Sequence, residues 1–144
     1  MFRVSDYRLS EDPDHLDLDS VVRWIGSDAY WAKGRSREVI ERSFAHSFAA
    51  GVYTGDAQQV AVARIVSARA TFAWLADVYV DRAHRGHGLG NMLAEWATGW
   101  AERHGVPRLV LSTLDAHGVY AKVGFTPLAH PERWMNIDSR PPIG

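Results

Sequence analysis

Residues 72–104 constrain the fold of this chain more than any other stretch, because three distinct patterns follow one another there. The run 72–80 is apolar and contains aromatic and β-branched residues, which is typical of a buried strand. A basic, glycine-rich turn occupies 81–90. After the turn, apolar residues recur every three or four positions, which predicts an amphipathic helix. Its apolar positions are Leu89, Met92, Leu93, Trp96, Ala97, Trp100 and Ala101.

A strand, a glycine turn and a helix in this order form an arrangement suited to an anion. The first turn of a helix has unpaired N–H groups and the positive end of the helix dipole. Gly86, Gly88 and Gly90 carry no Cβ, so a phosphate can approach their backbone closely. Arg82 and Arg85 add positive charge beside them. The pattern therefore predicts a phosphate-binding loop.

The spacing of the glycines excludes two common phosphate loops. No Gly-Lys-Ser/Thr follows the turn, so it is not a Walker loop, and the glycines do not fit the dinucleotide fingerprint either. The pattern Arg85-x-x-Gly88-x-Gly90 after a strand instead resembles the coenzyme A pyrophosphate loop of the GCN5-related N-acetyltransferase (GNAT) superfamily.

A second stretch, 114–125, supports the same resemblance. It looks like the family's later motif, in which a short helix carries a tyrosine, here Tyr120, and ends in Gly-Phe, here Gly124-Phe125. The two motifs have the family's order and separation. The resemblance implies the family's α/β fold, in which the two parallel strands of a mixed sheet splay apart and hold acetyl-coenzyme A in the gap.

The resemblance also implies a set of cofactor contacts. Backbone N–H groups of the turn should bind the pyrophosphate, and the strand before the turn should pair its backbone with the pantetheine arm. Many family members have asparagine where this chain has Thr113, which leaves a secondary contact there. The full set is Val78, Tyr79, Val80, Arg85, Gly86, His87, Gly88, Leu89, Gly90, Asn91, Thr113, Tyr120 and the charged Lys122.

Acetyl transfer from a thioester to an amine needs an acid for the leaving thiolate, a base for the amine and an oxyanion donor. Tyr120 stands where the family's tyrosine stands, so it is the candidate acid. Asp77 lies inside an apolar strand, and we expect it to be either the base or a structural hydrogen-bond anchor. A backbone N–H of 78–80 is the candidate oxyanion donor. His84 and His87 are expected to be phosphate-side or solvated residues, and their spacing does not indicate a metal site.

The acceptor site is expected to be aromatic. Tyr30, Trp31, Tyr79 and Trp134 can form its walls, although Tyr30 and Trp31 can equally pack a corner between two helices. With Asp28 and Asp77 nearby to attract an ammonium, such a pocket favours a small primary amine. Two alternatives stay open. The acceptor can be a protein N-terminus or lysine, or the domain can bind acyl-coenzyme A without catalysis.

The composition sets the broad class of the protein. The chain has 144 residues, of which 47% are apolar and 23% charged, with a formal net charge of −1. These values predict one globular domain over 1–144 and argue against a general nucleic-acid or membrane-surface binder. The absence of cysteine excludes disulfides and a thiol nucleophile. No signal peptide or membrane span is seen, which predicts a cytoplasmic protein, either a monomer or a homodimer.

The remaining patterns predict a sheet of about six to seven strands with four helices. Strands are expected at 2–9, 51–54, 59–67, 108–111, 125–128 and 133–137, and helices at 18–25, 37–47 and 115–123. Asp17 or Asp19 and then Ser36 are candidate caps for the first two helices, and Gly26 a stop signal. The strand–helix–strand run 72–111 predicts a parallel pair, and the strands before it an antiparallel meander.

Overall fold

The computed structural model describes residues 6–141, and in it helices cover both faces of one mixed sheet. The strands are β1 (Tyr7–Ser10), β2 (Phe48–Thr54), β3 (Gln59–Ser67), β4 (Ala73–Val80) and β5 (Leu109–Val110). The helices are α1 (Leu18–Arg23), α2 (Arg37–Ala45), α3 (Leu89–Arg103) and α4 (His117–Ala121). A π-helical turn, Trp24–Asp28, extends α1, and short 3₁₀ turns lie at Pro13–His15, Arg82–His84 and Pro131–Arg133. The predicted mixed α/β class is confirmed.

The sheet has the order β1-β2-β3-β4-β5. Neighbours from β1 to β4 are antiparallel, whereas β4 and β5 are parallel, as expected for strands joined by the crossover helix α3. The parallel pair is short, because only Ala73 pairs with Leu109 and Trp74 with Val110. β4 continues to Val80 without β5 beside it. This gap, which we call the cleft, confirms the predicted splay.

The number of strands is lower than predicted. Among residues 6–141 the sheet has five strands, and neither 125–128 nor 133–137 is paired. Pro127 lacks a backbone N–H inside 125–128, and the 3₁₀ turn Pro131–Arg133 takes up the start of 133–137. β2 begins at Phe48, three residues before its predicted start at 51. Residues 2–5 of the first predicted strand lie outside the described residues.

Both proposed N-caps are present. The Asp17 carboxylate accepts a hydrogen bond from the Ser20 backbone N–H, and the Ser36 hydroxyl accepts one from that of Val39. Each bond satisfies a first-turn donor, which is worth about 1 kcal/mol. Gly26 does not end the first helix, which continues through the π turn to Asp28.

The core lies on the two faces of the sheet. On one face α3 packs fully buried side chains such as Leu93 and Trp100 against Ile65 of β3. On the other face the π turn and α2 pack Ile25 and Ile40 against the sheet. Each such side chain contributes about 1.5–3 kcal/mol by leaving water. Within residues 6–141, no helix is long and apolar enough to cross a bilayer.

Candidate active site

A β-bulge bends β4 beside the cleft. Val62 of β3 pairs with Tyr79, and Arg64 pairs with Ala76, so Asp77 and Val78 together face the single residue between them. Asp77 has a φ of 51°, in the left-handed region. Such a backbone costs on the order of 1–3 kcal/mol for a residue other than glycine and persists only where its surroundings hold it. The bulge re-aims the backbone of 78–80 towards the cleft.

Three donors hold the carboxylate of Asp77. Trp31 Nε1 donates to Oδ1 at 2.9 Å, while Arg35 Nη1 at 3.0 Å and Arg64 Nε at 2.7 Å donate to Oδ2. The side chain is 3% exposed. Burial raises the pKa of Asp77, but the hydrogen bond and charge of Arg64, with the other donors, outweigh it and keep the pKa below its ordinary value. An ionised carboxylate engaged in this way is a weak base, so the contacts favour the anchor role.

The Asp77 cluster joins three parts of the chain. Trp31 and Arg35 lie between the π turn and α2, whereas Arg64 lies on β3 and also donates to the Ser47 hydroxyl at 3.0 Å. Asp77 therefore fastens the segment 29–35 to the bulge. Arg35 and Arg64 were not predicted as partners of Asp77. The sequence does carry a signal for the pair of Arg64 and Asp77. Arg64 lies inside the apolar run 60–66, and the following strand carries the buried Asp77.

Tyr79 connects the segment before α2 to the phosphate side of the cleft. Its hydroxyl donates to Asp28 Oδ2 at 2.6 Å, its ring stacks on Trp24 at 5.4 Å, and the Arg85 guanidinium lies 5.2 Å from its centroid. Burial, followed by the bond to Asp28, raises the pKa of Tyr79. Asp28 is also paired with Arg82 at 3.3 Å. Asp28 and Asp77 are thus both neutralised by protein groups, which weakens the expectation that they attract an ammonium.

The glycine turn has the backbone of an anion nest. Gly86 and Gly88 both have a φ of 83°, which favours glycine. Gly88 is the N-cap of α3 and offers no side-chain bond to the first-turn N–H groups, which stay available to a ligand. A Cβ on Gly86 would meet nothing within 4 Å, so the turn is open. Arg85 Nε donates to the Val80 carbonyl at 2.9 Å and closes the turn onto the end of β4.

Other residues of the predicted phosphate site have protein partners. Leu89 is buried in the core beneath the turn, and Asn91 donates to Glu95 Oε1 at 3.1 Å along the surface of α3. His84 is buried and bonded to the Tyr7 hydroxyl at 2.9 Å, so it is not the solvated residue that was expected. His87 is half-buried, with its ring 6.4 Å from that of Tyr7.

Tyr120 lies on α4. Its ring is 9% exposed and packs edge-to-face on Phe125 at 5.7 Å. Burial, with a smaller effect of the Tyr30 phenol, raises the pKa of Tyr120, so the hydroxyl keeps its proton at neutral pH. The Tyr120 hydroxyl has no hydrogen-bond partner among residues 6–141. Every fully buried polar side-chain atom in that range has a partner, so the Tyr120 hydroxyl must be in contact with solvent. Because the Tyr30 phenol affects the pKa of Tyr120, the two side chains lie near each other, and Tyr30 is 44% exposed.

Trp134 and Thr113 have other positions or partners than expected, whereas Lys122 is a solvated charge as predicted. Trp134 packs against Phe72 at 6.4 Å and Arg108 at 4.6 Å, at the outer ends of β4 and β5. Trp134 therefore lies at the start of β4 and β5, away from the glycine turn, and the prediction that it forms a wall of the acceptor site is wrong. Thr113 accepts a hydrogen bond from the Ala116 N–H at 3.1 Å, and Lys122 is exposed after α4. The described residues contain no cluster able to hold a metal.

Comparison with known proteins points to one family. The model of the family described as "Acetyltransferase (GNAT) family" matches residues 18–125. A solved structure from Xanthomonas campestris, described as belonging to the same family, is 37% identical, covers 92% of both chains and superimposes with a TM-score of 0.85.

Two further similarities are more distant. The uncharacterized N-acetyltransferase YobR of Bacillus subtilis is 25% identical over 127 residues, which are 85% of this chain and 50% of that protein, so this chain spans about half of YobR. A predicted acetyltransferase from Clostridium acetobutylicum, solved with acetyl-coenzyme A, is 16% identical with a TM-score of 0.69 and covers 92% of this chain and 94% of that chain. At that identity the likeness extends to the fold alone.

Proposed function

Because this chain belongs to the acetyltransferase (GNAT) family, we propose that it transfers an acetyl group from acetyl-coenzyme A to a primary amine of a small molecule. The observation that carries the proposal is the cleft itself. It has an unpaired strand edge on one side, an open glycine turn at its end and an unbonded phenol on α4. The strand edge suits the pantetheine arm of the cofactor, the glycine turn suits its pyrophosphate, and the phenol suits the leaving thiolate.

The residues around the cleft fit acetyl-coenzyme A. The free edge of β4 at 78–80 can pair with the amide groups of the pantetheine arm in the manner of an added strand. N–H groups of 86–90 can bind the pyrophosphate at the start of α3. The Clostridium structure contains acetyl-coenzyme A in the same fold, which supports this ligand for the present chain. The thioester supplies the activated acetyl group.

Two side chains differ in the roles we assign to them. Tyr120 would donate its hydroxyl proton to the sulfur atom of the leaving thiolate, because it is protonated, its ring is buried, and its hydroxyl bonds to no residue among 6–141. Asp77 is a positioning residue, which holds 29–35 and the bulge in place. A water molecule in the open cleft would take the proton of the amine before Tyr120 protonates the departing thiolate. A backbone N–H of 78–80 stabilises the oxyanion.

The acceptor is assigned to the small-molecule class because of the side chains at the Tyr30 end of the cleft. Tyr30 and Trp31 pack edge-to-face at 5.2 Å, and Trp31 is fixed by its bond to Asp77. Rigid aromatic rings beside Tyr120 enclose an apolar amine better than they accommodate an extended peptide backbone. Arg35 keeps 21% of its side chain exposed, which adds a positive group near the same place. An acceptor that also carries a carboxylate fits this charge.

Calorimetric titration with acetyl-coenzyme A, with ATP and NAD as controls, tests the cofactor. Thiol release is then measured with a panel of small amines and with peptides that offer a free N-terminus or a lysine. We expect selective binding of acetyl-coenzyme A and release with small amines. Release with peptides alone would contradict the substrate class. Binding without release in either panel would contradict catalysis, and no binding would contradict the whole proposal.

A further inference from the structure

The cluster of charged groups around Asp77 has one positive charge in excess. Its carboxylate pairs with two guanidinium groups, that of Arg35 at 3.0 Å and that of Arg64 at 2.7 Å. Among residues 6–141, Asp77 is the only carboxylate that pairs with either guanidinium. Both arginine side chains are mostly buried. A mostly buried charge without a counter-ion is costly, so the cluster is suited to an anion.

Acids on the neighbouring segments do not supply that counter-ion, because each has an arginine of its own. The pairs are Asp28 with Arg82, Glu38 with Arg42 and Glu41 with Arg37. The excess charge beside Asp77 is therefore available to a ligand.

Arg35 has more unused donors than Arg64. Arg64 donates through Nε to Asp77 and through Nη1 to the Ser47 hydroxyl at 3.0 Å. Arg35 donates through Nη1 alone, so its Nε and Nη2 bond to no residue among 6–141. Every fully buried polar side-chain atom in that range has a partner, so both nitrogen atoms must be in contact with solvent. The N–H groups of Nε and Nη2 lie on one side of the guanidinium and form a fork that matches a carboxylate.

The Arg35 guanidinium lies beside the expected acceptor site. Its Nη1 and the Nε1 of Trp31 donate to the two oxygens of the same carboxylate, so both side chains border Asp77. Trp31 packs on Tyr30 at 5.2 Å, and the Tyr30 phenol affects the pKa of Tyr120. Side chains in contact or near one another therefore connect the proposed acid to Arg35, and aromatic rings lie between the two.

We propose that the acceptor is a free amino acid, whose carboxylate accepts hydrogen bonds from Nε and Nη2 of Arg35 while its amine faces the acetyl group. The inference rests on the proposed function, names the class of its acceptor and adds no chemical step to it. An apolar part of the amino acid contacts the rings of Tyr30 and Trp31. A simple amine leaves the guanidinium without its anion, and a peptide N-terminus carries an amide where the amino acid carries the carboxylate.

Thiol release with matched acceptors tests the carboxylate. The pairs are phenylalanine with phenethylamine, leucine with isoamylamine and alanine with ethylamine, and the members of each pair differ only in the carboxylate. We expect kcat/KM to be about 10- to 100-fold higher for the amino acid in at least one pair, as is typical of hydrogen bonds to a charged group. Equal or higher values for the amine in every pair would overturn the inference and leave the proposed function intact.

Two variants of the same loop separate recognition from structure. Arg35→Gln removes the charge and keeps an N–H donor for Asp77, whereas Lys33→Gln removes a charge from an exposed position nearby. We expect the ratio of kcat/KM for amino acid over amine to fall about 10- to 100-fold with Arg35→Gln, through the KM of the amino acid. Lys33→Gln should change this ratio less than about threefold. A general loss of structure lowers both rates alike, so an unchanged ratio in Arg35→Gln would refute the site.

Binding is measured separately from turnover. The probes for calorimetric titration are phenylpropionate, isocaproate and propionate, which are the deaminated forms of the three amino acids. Each is added to wild type and to Arg35→Gln in the presence of coenzyme A. Binding that weakens about 10- to 100-fold in Arg35→Gln supports the carboxylate site even if no acceptor releases thiol, a result that would contradict only the proposed function. Absence of binding to wild type for all three probes would overturn the inference.

Discussion

The β4 side and the α4 side of the cleft differ in how their polar groups are hydrogen-bonded. On the β4 side, Asp77 accepts hydrogen bonds from three residues and Tyr79 donates to Asp28. On the α4 side, the hydroxyl of Tyr120 has no partner among residues 6–141. Both groups lie in a largely buried environment. Their difference is therefore one of hydrogen-bond satisfaction and not of burial.

This difference distinguishes a residue that holds the backbone in place from a residue that takes part in the reaction. A fully bonded buried group fixes the backbone around it and is costly to disturb. A group that must give up a proton has to be able to change its partner. The sequence offered Tyr120 as the acid and Asp77 as either the base or a structural anchor, and the contacts of Asp77 favour the anchor role. Four measurements test this contrast.

The largest effect is expected from Gly88→Asp, which removes the ligand from both sides of the cleft at once. The φ of 83° strains a residue with a Cβ, and the new carboxylate repels a phosphate at the start of α3. We expect titration to detect no binding of acetyl-coenzyme A. Gly105→Asp is the matched control, because Gly105 also has a positive φ, 64°, but lies past the other end of α3. Wild-type affinity in Gly88→Asp would refute the phosphate loop.

Asp77→Ala should destabilise the fold strongly. It leaves the guanidinium groups of Arg35 and Arg64 without their shared carboxylate, and their side chains are only 21% and 15% exposed. Removing one partner of such a buried pair costs about 3–5 kcal/mol in the free energy of unfolding. Urea denaturation measures this loss, and Asp14→Ala, at an exposed position, should leave the midpoint unchanged. A stable Asp77→Ala protein with low turnover would make Asp77 the base after all.

Tyr120→Phe should have the reverse profile. The hydroxyl bonds to no described residue, so the free energy of unfolding should stay within about 0.5 kcal/mol of wild type. Turnover should fall about a hundredfold, with little change in acetyl-coenzyme A affinity. Tyr53→Phe is the control, because its hydroxyl donates to the His15 carbonyl at 2.9 Å, away from the cleft. That variant should lose stability and keep its turnover, and unchanged turnover in Tyr120→Phe would remove Tyr120 as the acid.

The smallest effect concerns pH. The pKa of Asp77 is lower in the folded protein than its ordinary 3.8, so its ion pairs stabilise the fold fully above that value. The contribution is lost as pH falls below 3.8 and through the folded pKa. Urea midpoints measured from pH 6 to pH 3 should thus fall less steeply for Asp77→Asn than for wild type. Parallel curves would show that Asp77 does not ionise differently on folding.

Local patterns predicted the segments that carry the cofactor motif. The strand, the turn and α3 lie within about a residue of their predicted positions, as do β3 and the caps Asp17 and Ser36. Each depends on periodicity or on a hydrogen bond within a few residues of sequence. The last two predicted strands failed for the opposite reason. A strand needs a partner edge, and β5 pairs over only two residues.

The candidate site was predicted in its residue types more than in its contacts. The sequence identified Asp77 as a buried acid, but its partners Trp31, Arg35 and Arg64 are 46, 42 and 13 positions away. Trp134 was grouped with Tyr30 and Trp31 because all are aromatic, whereas the chain places it at the outer end of β4. The residue type indicates which chemistry a side chain can perform. Its contacts depend on how distant segments of the chain pack together.

The sequence by itself determined the family motifs, the parallel crossover and the positive-φ glycines of the turn, because these depend on local backbone preferences and hydrophobic spacing. The tertiary structure decided which polar groups are satisfied. It brought three donors to Asp77, placed Tyr30 near Tyr120 and, among the residues that the structure describes, left the outer edge of β5 without a paired strand. These outcomes follow from how distant segments meet, where burial and pairing energies outweigh any local preference.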